Sequence, residues 1–338
     1  MVEISYVVNQ QSYKNCNMPQ LKPYKFHRLL KSVIWGGSSI ANFKNIESDQ
    51  TLVGESWELS AVDGNESVVK GGDDDGLTLS QLVERHKGAL VGEKVYEKFG
   101  KRFPLLIKLI DADQDLSLQV HPNDKLAQER HGCFGKTEAW YVIDHKPGAK
   151  ILSGMKLQSS PEDYTRRVND GTILDIVAQH DSHVGDVFFL PAGRIHGIGA
   201  GNLIAEIQQT SDITYRVYDY DRRDANGNTR ELHVEQARDA IDYTVYPSYV
   251  QPPHGDKPGL TRLVECPYFT MSGIMLDGEE TVAMPESFLV VMCVKGEAVI
   301  TDNNGAVTRI HQGETVLVPA SLTTLRLQGH AMLITASV

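Results

Sequence analysis

Leu116-Ser117-Leu118-Gln119-Val120-His121-Pro122, then Gly135-Lys136-Thr137-Glu138-Ala139-Trp140, then Gly185-Asp186-Val187-Phe188-Phe189-Leu190-Pro191-Ala192-Gly193-Arg194-Ile195-His196 are three short apolar runs bounded by turn residues. Gln119 and His121 are two positions apart, so on a strand both side chains point to one face. Glu138 opens the apolar run Ala139 to Ile143, where a carboxylate is costly to bury unless it is paired or bound to a metal. Gly185, Pro191 and Gly193 punctuate the approach to His196. If these strands adjoin, Gln119, His121, Glu138 and His196 form a mixed nitrogen and oxygen metal site. The amide of Gln119 serves either as a ligand or as a neighbour that orients one.

Working outward, further runs of the same kind read as strands: Phe103 to Ile110, Ala139 to Ile143, Asp186 to Leu190, Leu203 to Gln208, Phe288 to Val294, Thr315 to Val318 and Ala331 to Ala336. Helical periodicity is confined to Leu79 to Phe99, Pro161 to His180, with Ser160 as its N-cap, and Val234 to Tyr243. Strands in excess with inserted helices predict a mainly β fold of barrel or sandwich type. An internal echo sharpens this. Tyr141 to Ile151 is answered by Val291 to Ile300, and Gly185 to Ala192 by Gly313 to Ala320, as expected for two copies of one β unit. Thr324 stands in the second copy where His196 stands in the first, which predicts a metal-binding first domain over 1–248 and a metal-free second over 249–338. Tyr249 to Gly259, rich in proline and glycine, reads as the link between them.

A chain of 338 residues exceeds one ordinary core, and at roughly 150 residues per domain about two are expected. The net charge of −11 disfavours nucleic acid or an acidic membrane as a general partner, so specificity for an anion must come from a few placed cations. The four cysteines form no Cys-x-x-Cys pair, and a reducing cytoplasm fits them. The stretch from Met1 has no basic-then-apolar leader, Asn9 to Gln20 reads as a loose lead-in, and no run approaches the ~20 apolar residues that span a bilayer. No Walker or dinucleotide glycine loop and no Gly-x-Ser-x-Gly elbow occurs, which disfavours nicotinamide redox chemistry and serine hydrolysis.

The Gly-x5-Pro-x-Gly-x2-His pattern resembles the second motif of the cupin superfamily, and Gln119-x-His121 with the later Glu138 resembles its first. With Gly135-Lys136-Thr137-Glu138-Ala139-Trp140 and Gln209-Thr210-Ser211-Asp212-Ile213-Thr214-Tyr215-Arg216-Val217-Tyr218-Asp219-Tyr220, the chain is similar to type I mannose-6-phosphate isomerases, nearest to their bacterial short-chain branch. Ile34-Trp35-Gly36-Gly37 and Gly54-Glu55-Ser56-Trp57 add to the likeness. The chain has Gly-Lys-Thr-Glu where longer members have His-Lys-Pro-Glu. The resemblance implies two cupin barrels (double-stranded β-helix, jelly-roll), one Zn2+ per chain on Gln119, His121, Glu138 and His196, and isomerisation of mannose 6-phosphate and fructose 6-phosphate. It also implies that Arg216 is catalytic, that Lys108, Ser117 and Lys136 line the substrate pocket, and that Trp57 and Glu55 contribute to it.

Elementary chemistry agrees in part. Lys136, two before Glu138, falls on the face of that ligand. Lys108 interrupts Leu105 to Ile110 and faces either solvent at a sheet edge or something anionic in a cleft. Arg216 either pairs with Asp212, Asp219 or Asp221 or is free for a ligand. Together the three cations suit a sugar phosphate and a developing enediolate, with Lys136 assisting Arg216 in catalysis. The base is left open between Lys136, a further carboxylate and a hydroxide at the metal. Two histidines and a carboxylate fit catalytic zinc and equally an Fe(II) oxygenase, and a sugar-sensing protein with a structural metal is a third reading. The sequence leaves the oligomeric state open.

Overall fold

The computed structural model describes residues 20–338 apart from 51, 224–225 and 252–257. The lead-in up to residue 19 and most of the proline-rich link lie outside the described residues. A six-stranded antiparallel sheet runs β1 (Leu29–Gly37), β2 (Val53–Leu59), then a strand Leu105–Ala112, Asn202–Gln209, Glu138–His145 and Val187–Leu190 in spatial order. Numbered in chain order, with the short hairpin β3 (Ala61–Val62) and β4 (Asn65–Glu66) between, these are β5 (Leu105–Ala112), β7 (Glu138–His145), β10 (Val187–Leu190) and β12 (Asn202–Gln209). A five-stranded sheet is made of β13 (Tyr215–Tyr218), β6 (Leu118–Val120), β11 (His196–Ile198), β8 (Lys150–Met155) and β9 (Val177–Asp181), in that order.

Alternation of side chains explains how apolar strands carry a polar site. In β5, Leu105, Ile107 and Leu109 face a core shared with Leu79, Leu82, Leu90 and Phe103, while Ile110 and Ala112 face a separate core with Trp35, Trp140 and Ile204. Lys108 shares the parity of Ile110, so it points between the sheets. In β6 and β13 the apolar Leu118, Val120, Tyr215 and Val217 pack outward on Tyr164 and Ala237 of two helices, and leave Gln119 and Arg216 on the opposite face.

Beyond the link, β14 (Gly259–Glu265), β15 (Thr270–Ala283), β16 (Leu289–Asp302), β17 (Val307–His311), β18 (Thr315–Val318) and β19 (Thr324–Ser337) form one sheet with its own core around Ile274, Ile300, Val316 and Leu333. Its other face adds Phe269, Met271, Phe288 and Ile334 to the core of the first sheet, with the Phe103 and Phe288 rings 4.4 Å apart. The repeat is real in three dimensions. Gly185 N–H donates to Val142 O and Val142 N–H to Asp186 O, and the same pair of bonds joins Gly313 to Cys293 and Cys293 to Glu314. A one-residue bulge follows in both places, at Ile143 and at Val294, so the structural match sits one position on from the sequence echo.

Two helical expectations need correction. The stretch from Leu79 to Phe99 is three short helices, Leu79–His86, Gly88–Val91 and Glu93–Phe99, broken where Lys87 and Gly92 adopt positive φ. The helix from Pro161 ends at Asn169; Gly171 at φ 70° turns the chain, and Val177–Asp181 is strand β9.

Asp74 ties the first of these helices to the segment around Tyr24. Its carboxylate accepts from Tyr24 Oη at 2.8 Å and lies 2.9 Å from His86 Nε2 and from an Arg85 nitrogen. Asp74→Ala is expected to cost about 2–3 kcal/mol, read by chemical denaturation. Burial alone would raise the Asp74 pKa, but the Tyr24 and His86 hydrogen bonds bring it below its ordinary value. The contribution is therefore complete above about pH 4 and is lost as pH falls through the lower, folded value.

Candidate active site and metal centre

His196 is delivered by a tight turn. Arg194 N–H closes onto Pro191 O at 3.0 Å, with Gly193 at φ 92° in the position that a type II turn reserves for glycine, and Gly193 N–H donates to His121 O at 2.9 Å. That turn ties the two histidine segments together. Across the five-stranded sheet, Arg216, Gln119 and His196 are direct neighbours on β13, β6 and β11. Glu138 enters from the opposite sheet, where its strand pairs with Leu190 and Gln208.

The Nδ1 atoms of His121 and His196 meet backbone carbonyls, Ile213 O at 2.7 Å and Arg194 O at 2.8 Å. Each ring therefore donates from Nδ1 and turns the Nε2 lone pair inward. His121 Nε2 lies 3.6 Å from Glu138 Oε2, and His196 Nε2 lies 3.1 Å from Oε1. His121 Nε2 and both Glu138 oxygens are buried without a hydrogen bond. Burial, then Lys136, hold His121 well below its ordinary pKa, which favours the neutral ring with its Nε2 lone pair toward Glu138. Burial would raise Glu138, but Lys136, His121 and His196 outweigh it and keep the carboxyl well below the usual range. Acceptors that converge in this way fit a cation. Tetrahedral zinc bonds of about 2.0–2.1 Å place ligand atoms roughly 3.3 Å apart, near the 3.6 and 3.1 Å of the two His–Glu138 pairs, in a group whose ligand atoms all lie within 4.8 Å of one another. Gln119 Nε2 is 3.4 Å from His196 Nε2, so a flip of the amide would turn its oxygen to the same point.

The facing sheet carries a second row, Trp57, Lys108, Glu206 and Trp140, adjacent on β2, β5, β12 and β7. Lys108 thus lies on an inner strand, which removes the edge reading. Its Nζ is 3.3 Å from Glu206 and 4.0 Å from Glu55, and these acids outweigh burial to raise its pKa. Glu55 accepts from Trp57 Nε1 at 2.6 Å and Glu206 from Trp140 Nε1 at 2.7 Å. Lys136 Nζ stands 3.3 Å from Glu138. Between the rows lies a cavity of about 220 Å³ lined by Glu55, Trp57, Lys108, Ser117, Gln119, Lys136 and Arg216.

Two matches of family models lie on this framework. Residues 24–154 match the phosphomannose isomerase type I catalytic domain, and residues 260–338 match the mannose-6-phosphate isomerase cupin domain. Mannose-6-phosphate isomerase ManA of Bacillus subtilis (strain 168) is 38% identical over 314 residues, 92% of this chain and 97% of that protein. The chain belongs to the type I phosphomannose isomerase family. A mannose-6-phosphate isomerase of Streptococcus mutans is 36% identical over 79% of the chain and 83% of its own length. The crystal structure of the Bacillus subtilis mannose 6-phosphate isomerase superposes with a TM-score of 0.85 at 32% identity, covering 94% of this chain and 100% of that one.

For a phosphomannose isomerase fold, the most telling cation is Arg216. Asp219, one of its expected partners, is instead held by Arg230 through two bonds of 2.8 and 2.5 Å. Arg216 makes no ion pair among the described residues; its Nη1 donates to Glu231 O at 2.8 Å and its Nε is buried without an acceptor. Burial first and Arg230 second lower its pKa, against the opposing pull of Asp219 and Glu231. Glu206, Arg230 and His233 were not among the residues singled out from sequence. Glu206 had a signal, since it breaks Leu203 to Ile207 as Lys108 breaks its own run; Arg230 and His233 had none. A larger cleft of about 410 Å³ opens elsewhere along Trp57, but its Lys25 and Lys44 are already paired with Glu314 and Glu58. No helix among the described residues is long and apolar enough to cross a membrane.

Proposed function

We propose that the chain is a mannose-6-phosphate isomerase that interconverts mannose 6-phosphate and fructose 6-phosphate by moving a proton between C1 and C2 through a cis-enediolate. One zinc ion, held by His121, Glu138 and His196 with Gln119 as fourth partner, would act as a Lewis acid toward the sugar oxygens. The observation that carries the reading is the convergence of unpartnered His121 and Glu138 atoms with His196 Nε2, beside a cavity ringed by Lys108, Lys136 and Arg216.

The residues around the cavity divide the work, with Lys136 serving in two parts of it. Arg216, the cation without a carboxylate partner, stabilises negative charge as the enediolate forms. Lys136, Lys108 and Ser117 hold the phosphate and the opened sugar, with Trp57 and Glu55 as the wall against which it lies. Lys136 and the carboxylate of Glu206 both face the cavity and are placed to move the proton. Residues 1–248 form the catalytic part and 249–338 a metal-free cupin domain that buttresses it, and a reducing cytoplasm suits three cysteines that are free among the described residues.

The test is a coupled assay of fructose 6-phosphate formation, run without oxygen, before and after chelation, with metals quantified on the same sample. Activity should vanish with the metal and return with zinc but not with iron. A protein that stays inactive toward mannose 6-phosphate at full zinc loading ends the proposal, and turnover that needs oxygen points to the oxygenase.

A further inference from the structure

Arg216 lies on β13, the edge strand of its sheet, where pairing with Gln119 uses only one side of the backbone. Both main-chain groups on the other side end on one residue. Arg216 N–H donates to His233 Nδ1 at 3.2 Å, and His233 N–H donates to Arg216 O at 2.7 Å. Two residues earlier, the Glu231 carbonyl accepts from the guanidinium at 2.8 Å. The segment is fixed in turn, because Ala237 N–H donates to His233 O at 2.8 Å and Ala237 is buried under the sheet. A single short segment therefore holds Arg216 by its amide, its carbonyl and its side chain.

We infer that His233 is a positioning residue for Arg216: its ring, accepting at Nδ1, fixes the edge of β13 and with it the aim of the guanidinium into the substrate cavity. The inference rests on the role given to Arg216 above. A proton on Nδ1 would set donor against donor at that edge and bring a second positive charge beside Arg216. Burial first, and Arg216 second, hold the His233 pKa below its ordinary value; His131 on the helix Asp124–His131 adds to this and Glu231 opposes it. Tyr215, whose hydroxyl is 2.8 Å from His131 Nε2, has its ring tilted toward that of His233 with centroids 6.3 Å apart. The ring is thus kept in its accepting form at neutral pH, and the grip fails as pH falls through that lowered value.

The experiment compares His233→Ala, His233→Asn and Arg216→Ala in the zinc-loaded full chain with mannose 6-phosphate as substrate. His233→Ala should lower kcat about ten- to hundredfold with zinc content unchanged, the scale on which small misplacements act. Asparagine offers Oδ1 where Nδ1 stood and does not titrate. His233→Asn should therefore recover most of the rate and shift the acidic limb of the kcat profile downward, the phosphate of the substrate being common to both proteins. His233→Ala at the wild-type rate, His233→Asn as slow as His233→Ala, or unchanged acidic limbs would each overturn the inference. If Arg216→Ala itself turns over normally, the role of Arg216 fails as well; a slow Arg216→Ala beside an unimpaired His233→Ala rejects the positioning alone.

Discussion

His196→Ala is expected to leave a folded protein without its metal and without measurable isomerisation. The imidazole is anchored from Nδ1 to Arg194 O, while its Nε2, 3.4 Å from the Gln119 amide, is one of three groups that converge on the proposed ion. Loss of a group that only supports a ligand typically costs 10–100-fold in affinity, so loss of the ligand itself should exceed about 100-fold. Metal analysis after dialysis should fall from about one ion per chain toward zero, and added zinc should no longer raise the melting temperature. Full zinc content in the variant would mean that the histidine is not a ligand.

Arg216→Ala should behave in the opposite way, keeping zinc and losing turnover. Arg216 lies two strands from His196, with Gln119 on the strand between them, and is not among the proposed ligands, so its removal should leave metal content unchanged. Removing a preorganised donor aimed at developing charge costs about 10²–10³-fold in kcat. Arg216→Lys should recover a part only, since an ammonium restores charge but not the fork that also meets Glu231 O. Comparable metal loss in Arg216→Ala and His196→Ala would contradict the division of labour between them.

These two residues also mark what could be read from the chain. Gln119 and His121 were legible because a strand repeats every two residues, and His196 because Gly193 announces the turn that delivers it. Lys108 was legible as an anomaly, a charge in an apolar run, but its meaning depended on whether β5 was an edge, which pairing with β2 and β12 decides. The strands Leu29–Gly37 and Thr270–Ala283 went unread because the first is half-buried and the second is interrupted by Asp277, Glu279 and Glu280, so their alternation is blurred. The breaks at Lys87 and Gly92 were hidden inside an otherwise helical pattern. Glu206 was an anomaly of the same kind, but its pairing with Lys108 is known only once β5 and β12 are seen side by side, and His233 stands out only once the edge of β13 is known. Such partners are set by tertiary structure, and no local spacing encodes them.

Glu138 belongs to one sheet, whereas Gln119 and His196 belong to the other. An ion shared among them is consequently a clasp across the mouth of the sandwich, and by thermodynamic reciprocity whatever spreads the two leaves weakens the hold on the ion to the same extent that the ion resists their spreading.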